Sequence, residues 1–209
     1  MTDARDDLEG KLRNVPTQAR SRRRLRRVLD AADALLAAEG ADAFTTRAVA
    51  RFAGVPVGSV YHYFPDKDAI AEALAVRYWS DFEDLVAGVA EADEQQPFED
   101  PGAAVLDVLA AGFRARPGFL ALWYGGLRTE RLRDATRPTR IAIGRSIERI
   151  LAVHWPQASS ERRVEAARMV VLAGDGLLRE AFRLDLAGDE TLLAESALML
   201  DAYLDARLG

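Results

Sequence analysis

The stretch Thr45–Lys67, TTRAVARFAGVPVGSVYHYFPDK, is the most informative in the chain. It reads as two short helices joined by a tight glycine turn, then the start of a third. Thr45 suits an N-cap, because its hydroxyl can accept a bond from an orphan amide at a helix start. Val49, Phe52 and Ala53 recur at helical spacing and predict an inward face. Gly54 stands where that helix must stop, and glycine enters the left-handed region without steric cost. A second helix follows Pro56, with Val60 and Phe64 four apart on one side. Its other side shows Ser59, Tyr61, His62 and Tyr63. Small Ala50, one turn before the glycine, permits two helices to cross closely at a wide angle. This is the pattern of a helix-turn-helix, whose second helix enters the DNA major groove.

On the N-terminal side, Leu25, Val28, Leu29, Ala32, Leu35 and Leu36 form the apolar stripe of a first helix ending at Glu39-Gly40. The run Arg20–Arg27 (RSRRRLRR) opens it and would lie near a DNA backbone, adding salt-sensitive, sequence-independent affinity. Residues 1–18 are polar and aperiodic and are expected to be disordered. On the C-terminal side a long helix runs from Asp66 to about Glu94, carrying Ile70, Leu74, Tyr78, Phe82 and Leu85. The segment Asp93–Gly102 reads as a loop. Helices follow at about 101–115, 118–127, 137–155, 160–186 and 189–207, with breaks at Pro117-Gly118, around Arg137-Pro138, at Pro156 and at Gly188. Strand signals are scarce, so the class is all-α. The expected organisation is a DNA-binding domain at 19–66 and a helical regulatory and dimerisation domain at 67–209.

A formal charge of −5 over 209 residues argues by itself against nucleic-acid binding. Its distribution removes the objection. Between residues 11 and 67, eleven Lys and Arg stand against five Asp and Glu, a local +6, so −11 falls on the remainder. Such asymmetry fits a small DNA-reading head on an acidic body. The absence of cysteine excludes disulfides and thiolate chemistry. No run of 18 apolar residues exists, and MTDARDDLEG is too acidic for a signal peptide, so a soluble cytoplasmic protein is the simple inference. Two distant histidines and no clustered carboxylates offer no metal-ligand spacing. With no nucleophile–base pair and no Gly-rich phosphate loop, an enzyme is not expected, and no cofactor is implied.

From Arg24 to Leu74 the chain resembles the TetR family of bacterial transcriptional repressors. The resemblance rests on the first helix, on Phe44-Thr45-Thr46 with Val49-Ala50 through Ala53-Gly54-Val55, and on Gly58-Ser59-Val60-Tyr61-His62-Tyr63-Phe64 followed by Lys67, Ala69, Ile70 and Leu74. It implies that Thr46, Tyr61 and Lys67 anchor on phosphates of an operator duplex. It further implies that Arg47, Val57, Gly58, Ser59 and Tyr63 approach base edges. The family commonly opens the second helix with Ser or Thr; this chain has Pro56, which cannot cap through a side chain. Arg47 has the planar fork that matches guanine O6 and N7, or is simply solvated. Tyr61 and Tyr63 are rigid arms suited to phosphates and thymine methyls, unless one belongs to the head's core. His62 reads as a polar contact on the same surface. Lys67, at a helix start behind Pro65-Asp66, suits an anion.

The helix at 160–186 carries Val164, Ala167, Val170, Val171, Ala173, Gly174, Leu177, Leu178, Ala181 and Phe182 over most of its circumference. In the helix at 189–207, Leu193, Ala197, Leu200 and Leu204 form one stripe with Met199 and Tyr203 beside it. A helix apolar nearly all round needs cover on both sides, and a second copy would supply it. The resemblance likewise implies a homodimer through the last two helices. Gly174 and Gly176 suggest a close crossing or room for a ligand. Phe113, Phe119 and Trp123, with Met169 and Leu172, could line a cavity between helices or form core. Arg116 and Asp175 could orient a ligand there, Asp175 being either exposed to a pocket or paired at the dimer interface. The expected function is a sequence-specific regulator, a repressor released from a palindromic operator by a small-molecule effector. An activator, a helical enzyme and an architectural DNA protein are the alternatives.

Overall fold

The computed structural model describes residues 19–125 and 129–209. The N-terminal segment 1–18 and the last residues of the helix expected at 118–127 lie outside these. Every regular element among the described residues is a helix, and none is a strand. In chain order the helices are α1 (Ala19–Glu39), α2 (Thr46–Ala53), α3 (Val57–Tyr63), α4 (Lys67–Gln95) and α5 (Pro101–Arg114). They continue as α6 (Pro117–Tyr124), α7 (Glu130–Ala135), α8 (Arg137–His154), α9 (Ser160–Leu184) and α10 (Glu190–Leu208). Side-chain caps start most of them: Asp66 accepts from the Ala69 amide at 2.8 Å, Asp100 from Ala103, Thr129 from Leu132, Ser159 from Arg162 and Asp189 from Leu192. α7 is an addition to the sequence expectation. Six residues are too few to show a helical period, and only the Thr129 cap announces it.

The chain forms two compact units. One runs through Ser80 and takes in Arg116–Arg137; the other comprises Asp81–Ala115 and Pro138–Gly209. The division falls inside α4. In the first unit Leu25, Val28, Leu29, Leu35 and Leu36 of α1 are buried together with Phe44, Val49, Val60, Phe64, Ile70 and Leu74. α6 adds Phe119 and Trp123, stacked with centroids 5.3 Å apart, and Phe119 meets Tyr78 edge-on at 5.4 Å. Gly118 makes this approach possible. A Cβ there would collide with Asp33 Oδ1 and stand 2.7 Å from the Tyr78 hydroxyl. The Tyr78 hydroxyl donates to Asp33, and Arg77 reaches Asp30 at 2.7 Å and Asp33 at 3.3 Å. α1 and α4 are thus tied by charge as well as by packing.

In the second unit a ladder of rings, Phe82–Phe113 at 5.2 Å and Phe113–Phe182 at 5.1 Å, joins α4, α5 and α9. Arg149 grips Glu94 with two 2.8 Å hydrogen bonds. Buried Asp93 accepts from the Phe98 amide at 2.9 Å and faces His154 Nε2 at 3.0 Å. His154 therefore fastens the end of α8 to the end of α4, a structural role.

Candidate nucleic-acid interface

The head is assembled as the motif requires. Thr45 has extended backbone angles, and its hydroxyl accepts from the Ala48 amide at 3.1 Å. Gly54 sits at φ 61°, ψ 41°, in the left-handed region, and its amide bonds back to the α2 carbonyls of Ala50 and Arg51. Thr46, Val49, Ala50 and Ala53 face inward. Phe52 does not: it is 39% exposed, with the Arg51 guanidinium over its ring at 5.9 Å. The expectation of an inward Phe52 is corrected. On a helix, position 52 lies about 100° from Ala53, off the short buried face. Arg51 also contacts Glu39 at 3.5 Å, so it is turned toward α1.

On α3, Val60 is buried while Val57, Gly58, Tyr61 and His62 are exposed and Ser59 is half-buried. Tyr61 is 43% exposed. Tyr63 is the tyrosine that enters the core, at 2% exposure. Its hydroxyl lies 2.8 Å from Ser21 Oγ and donates to the Ser21 carbonyl at 3.3 Å, and His62 packs edge-on against the ring at 5.0 Å. Tyr63 is accordingly removed from the base-reading set. It stands three residues after Val60, on the buried side, and its hydroxyl finds a partner there as buried phenols must. Thr46 is largely buried at the first position of α2, where amides lack helical partners. Arg47 and Lys67 are exposed. Arg47, Val57, Gly58, Ser59, Tyr61, His62 and Lys67 thus remain accessible on one unit.

Pro56 caps α3 without a side-chain hydrogen bond. Beside it the structure shows a feature the sequence reading did not delineate. A recess of about 450 Å³ is lined by Arg20, Arg23, Arg24 and Arg27 of α1 and by Gly54, Val55, Pro56 and Ser59 of the turn. The signal was present as the i, i+3, i+4, i+7 spacing of the four arginines.

The residues considered for a ligand are drawn from both units. Phe119 and Trp123 are core of the first unit, where Arg116 precedes α6; Phe113 is core of the second. Met169 and Leu172 point outward from α9, which corrects their placement in a cavity. Both turn away from buried Ala166, Ala167 and Leu178 on the same helix. Asp175 is paired within the chain, with Arg140 at 3.6 Å and Arg179 at 3.5 Å. A separate recess of about 300 Å³ lies between α5 and α10, with Leu106, Ala110, Leu193 and Ala197 in its walls.

Residues 28–74 match the family described as bacterial regulatory proteins, tetR family, and residues 98–208 match the tetracyclin repressor-like C-terminal domain. A TetR-family transcriptional regulator from Streptomyces coelicolor is 31% identical, covering 88% of this chain and 99% of its own, with a TM-score of 0.65. The multidrug binding protein EbrR, solved with imidazole, is 25% identical over 85% of this chain and 94% of its own, with a TM-score of 0.60. The SmeT–triclosan complex shares the fold at 21% identity, covering 90% and 92% of the two chains, with a TM-score of 0.62. SmeT is the repressor of a Stenotrophomonas maltophilia multidrug efflux pump. No match is found among curated proteins.

Proposed function

Because this chain belongs to the TetR family of bacterial transcriptional regulators, we propose that it is a homodimeric repressor released from a palindromic operator by a small molecule. The observation that carries the reading is that Tyr61 and His62 on α3, with half-buried Ser59, are accessible together with Arg47 on α2 and Lys67 on α4. In this arrangement Tyr61, Lys67 and the Thr46 end of α2 hold phosphates, while Arg47 and the Val57–Ser59 edge meet bases. Phosphate contacts set register and base contacts set sequence.

Dimerisation is supported by apolar surface that the protomer leaves uncovered on its last two helices. Val164, Met169 and Leu172 on α9 and Leu198 and Met199 on α10 are exposed, Leu172 by 49% and Leu198 by 64%. Around Gly174 and Gly176 no atom lies within 4 Å of where a Cβ would stand, so no neighbour in the chain requires glycine there. A second copy crossing closely at α9 would. Two copies place two α3 helices on one duplex, at half-sites a helical turn (about 34–36 Å) or a multiple apart.

Release by a ligand is supported by EbrR and SmeT, each solved with a small organic molecule. A ligand shifts the equilibrium only through unequal affinity for the two states, with couplings of about 1–3 kcal/mol. No described helix is long and apolar enough to cross a membrane; we place the protein in the cytoplasm, where its DNA is. A reporter driven by the chain's own upstream DNA tests the repressor reading. Its output should fall when the protein is supplied, and a rise would mark an activator instead.

A further inference from the structure

Arg20, Arg23, Arg24 and Arg27 occupy one face of α1, all four are exposed, and none pairs with an acid among the described residues. Like charges three and four residues apart repel, so the cluster calls for an external anion. The opposite wall is the 54–59 turn, across a recess of about 450 Å³. The turn residues that line it have few donors to give. The Gly54 amide bonds Arg51, the Val55 amide bonds Ala50 at 3.1 Å, the Ser59 amide bonds Pro56 at 2.8 Å, and Pro56 has no amide proton. Val57 and Gly58, whose amides belong to the first turn of α3, are not among the lining residues. Within the recess an anion is therefore held by guanidinium groups, with the Ser59 hydroxyl as the one side-chain donor of the lining turn residues. Arg27 is seated against the turn, its Nη2 3.0 Å from where a Gly54 Cβ would stand.

We infer that this recess is a seat for consecutive phosphodiesters of the operator backbone, and that it replaces the anchor Pro56 cannot supply at the start of α3. The inference rests on the DNA-binding reading and adds the site and the residues. Its chemistry follows from the guanidinium fork, which matches phosphate oxygens in pairs. The recess adjoins Ser59 and Pro56 of the helix that meets the bases, so a phosphate in it would fix how α3 enters the groove.

The test is ethylation interference on the operator, with wild type and an R20Q/R23Q/R24Q/R27Q variant, alongside binding measured across a salt series. Glutamine keeps the helix propensity of these exposed positions and relieves their repulsion, and a melting temperature no lower than that of wild type would confirm that the variant folds. Ethylation at two or so phosphates per half-site should block wild type but leave the variant indifferent, while the phosphates held by Tyr61 and Lys67 stay sensitive in both. With roughly two phosphates per recess and two recesses per dimer, the slope of log K against log salt should become shallower by roughly 3–4 in the variant. A variant that keeps the wild-type interference pattern and slope would overturn the seat while leaving DNA binding intact. Unchanged interference together with stabilisation of wild type alone by inorganic tripolyphosphate would assign the recess to a free anion and overturn it equally. Failure of wild type to bind any duplex would instead remove the reading beneath it.

Discussion

Arg47 and Lys67 are both exposed cations of the same unit, yet their substitution should read out differently. Arg47→Ala should relax preference at one base pair by about 1–3 kcal/mol, because a guanidinium fork discriminates bases. Lys67→Ala should weaken all sequences alike, lowering the salt slope by roughly one for each phosphate no longer neutralised. Competition binding against a set of single-base operator variants separates the two. Tyr63→Phe removes the hydrogen bonds to Ser21 and should destabilise the head by about 1 kcal/mol in urea unfolding. Base preference should not change, since the ring is core. Spacing named both tyrosines of Tyr61-His62-Tyr63 as arms to DNA; which one turns inward depends on the α1 residue opposite, Ser21, and that is a tertiary fact. Tyr78 adds an alkaline pH dependence to the first unit. Burial, and then the hydrogen bond and charge of Asp33, push its phenol above its ordinary range. The folded state therefore keeps the proton that the unfolded chain releases near pH 10. Stability should fall as pH rises above about 10, and Tyr78→Phe should flatten that decline.

At the level of helices, the Gly54 turn was fully legible, because a left-handed residue after an apolar period leaves glycine as the common solution. Gly54→Ala should cost about 1–2 kcal/mol for the left-handed backbone, and it should weaken DNA binding as well, since the added methyl presses on Arg27. Chemical unfolding and duplex titration of the same variant measure the two effects. Phe52 was less legible: in an eight-residue helix one position of drift moves a side chain off the buried face, and periodicity over two turns fixes that poorly. On α10, burial first and then the Asp100 and Asp205 carboxylates raise the Asp201 carboxyl above its usual range. A raised folded-state value means stability present in acid and lost as Asp201 ionises. Asp201→Asn should therefore raise the melting temperature at neutral pH, with the gain vanishing below about pH 4.

For the whole molecule, the split between a basic head and an acidic remainder could be read from charge alone. The packing of α6 onto α1 and α4 could not, because Gly118 meets Asp33 across 85 positions of sequence and no local pattern records such a contact. The ligand residues suffered in the same way: Met169 and Leu172 are apolar at helical spacing, which describes a cavity wall and an oligomer face equally well. Leu172→Glu combined with Leu198→Glu should halve the mass seen in sedimentation, since a charge at the centre of an apolar interface is left buried and unpaired. Two copies of α3, with Arg47, should read one particular duplex. The protein is titrated against the palindrome in its own upstream DNA and against a scrambled duplex, at physiological salt. Affinity for the palindrome should exceed that for the scrambled duplex by roughly 10³ or more, with two protomers bound; equal affinity for both would mean that α3 does not read sequence.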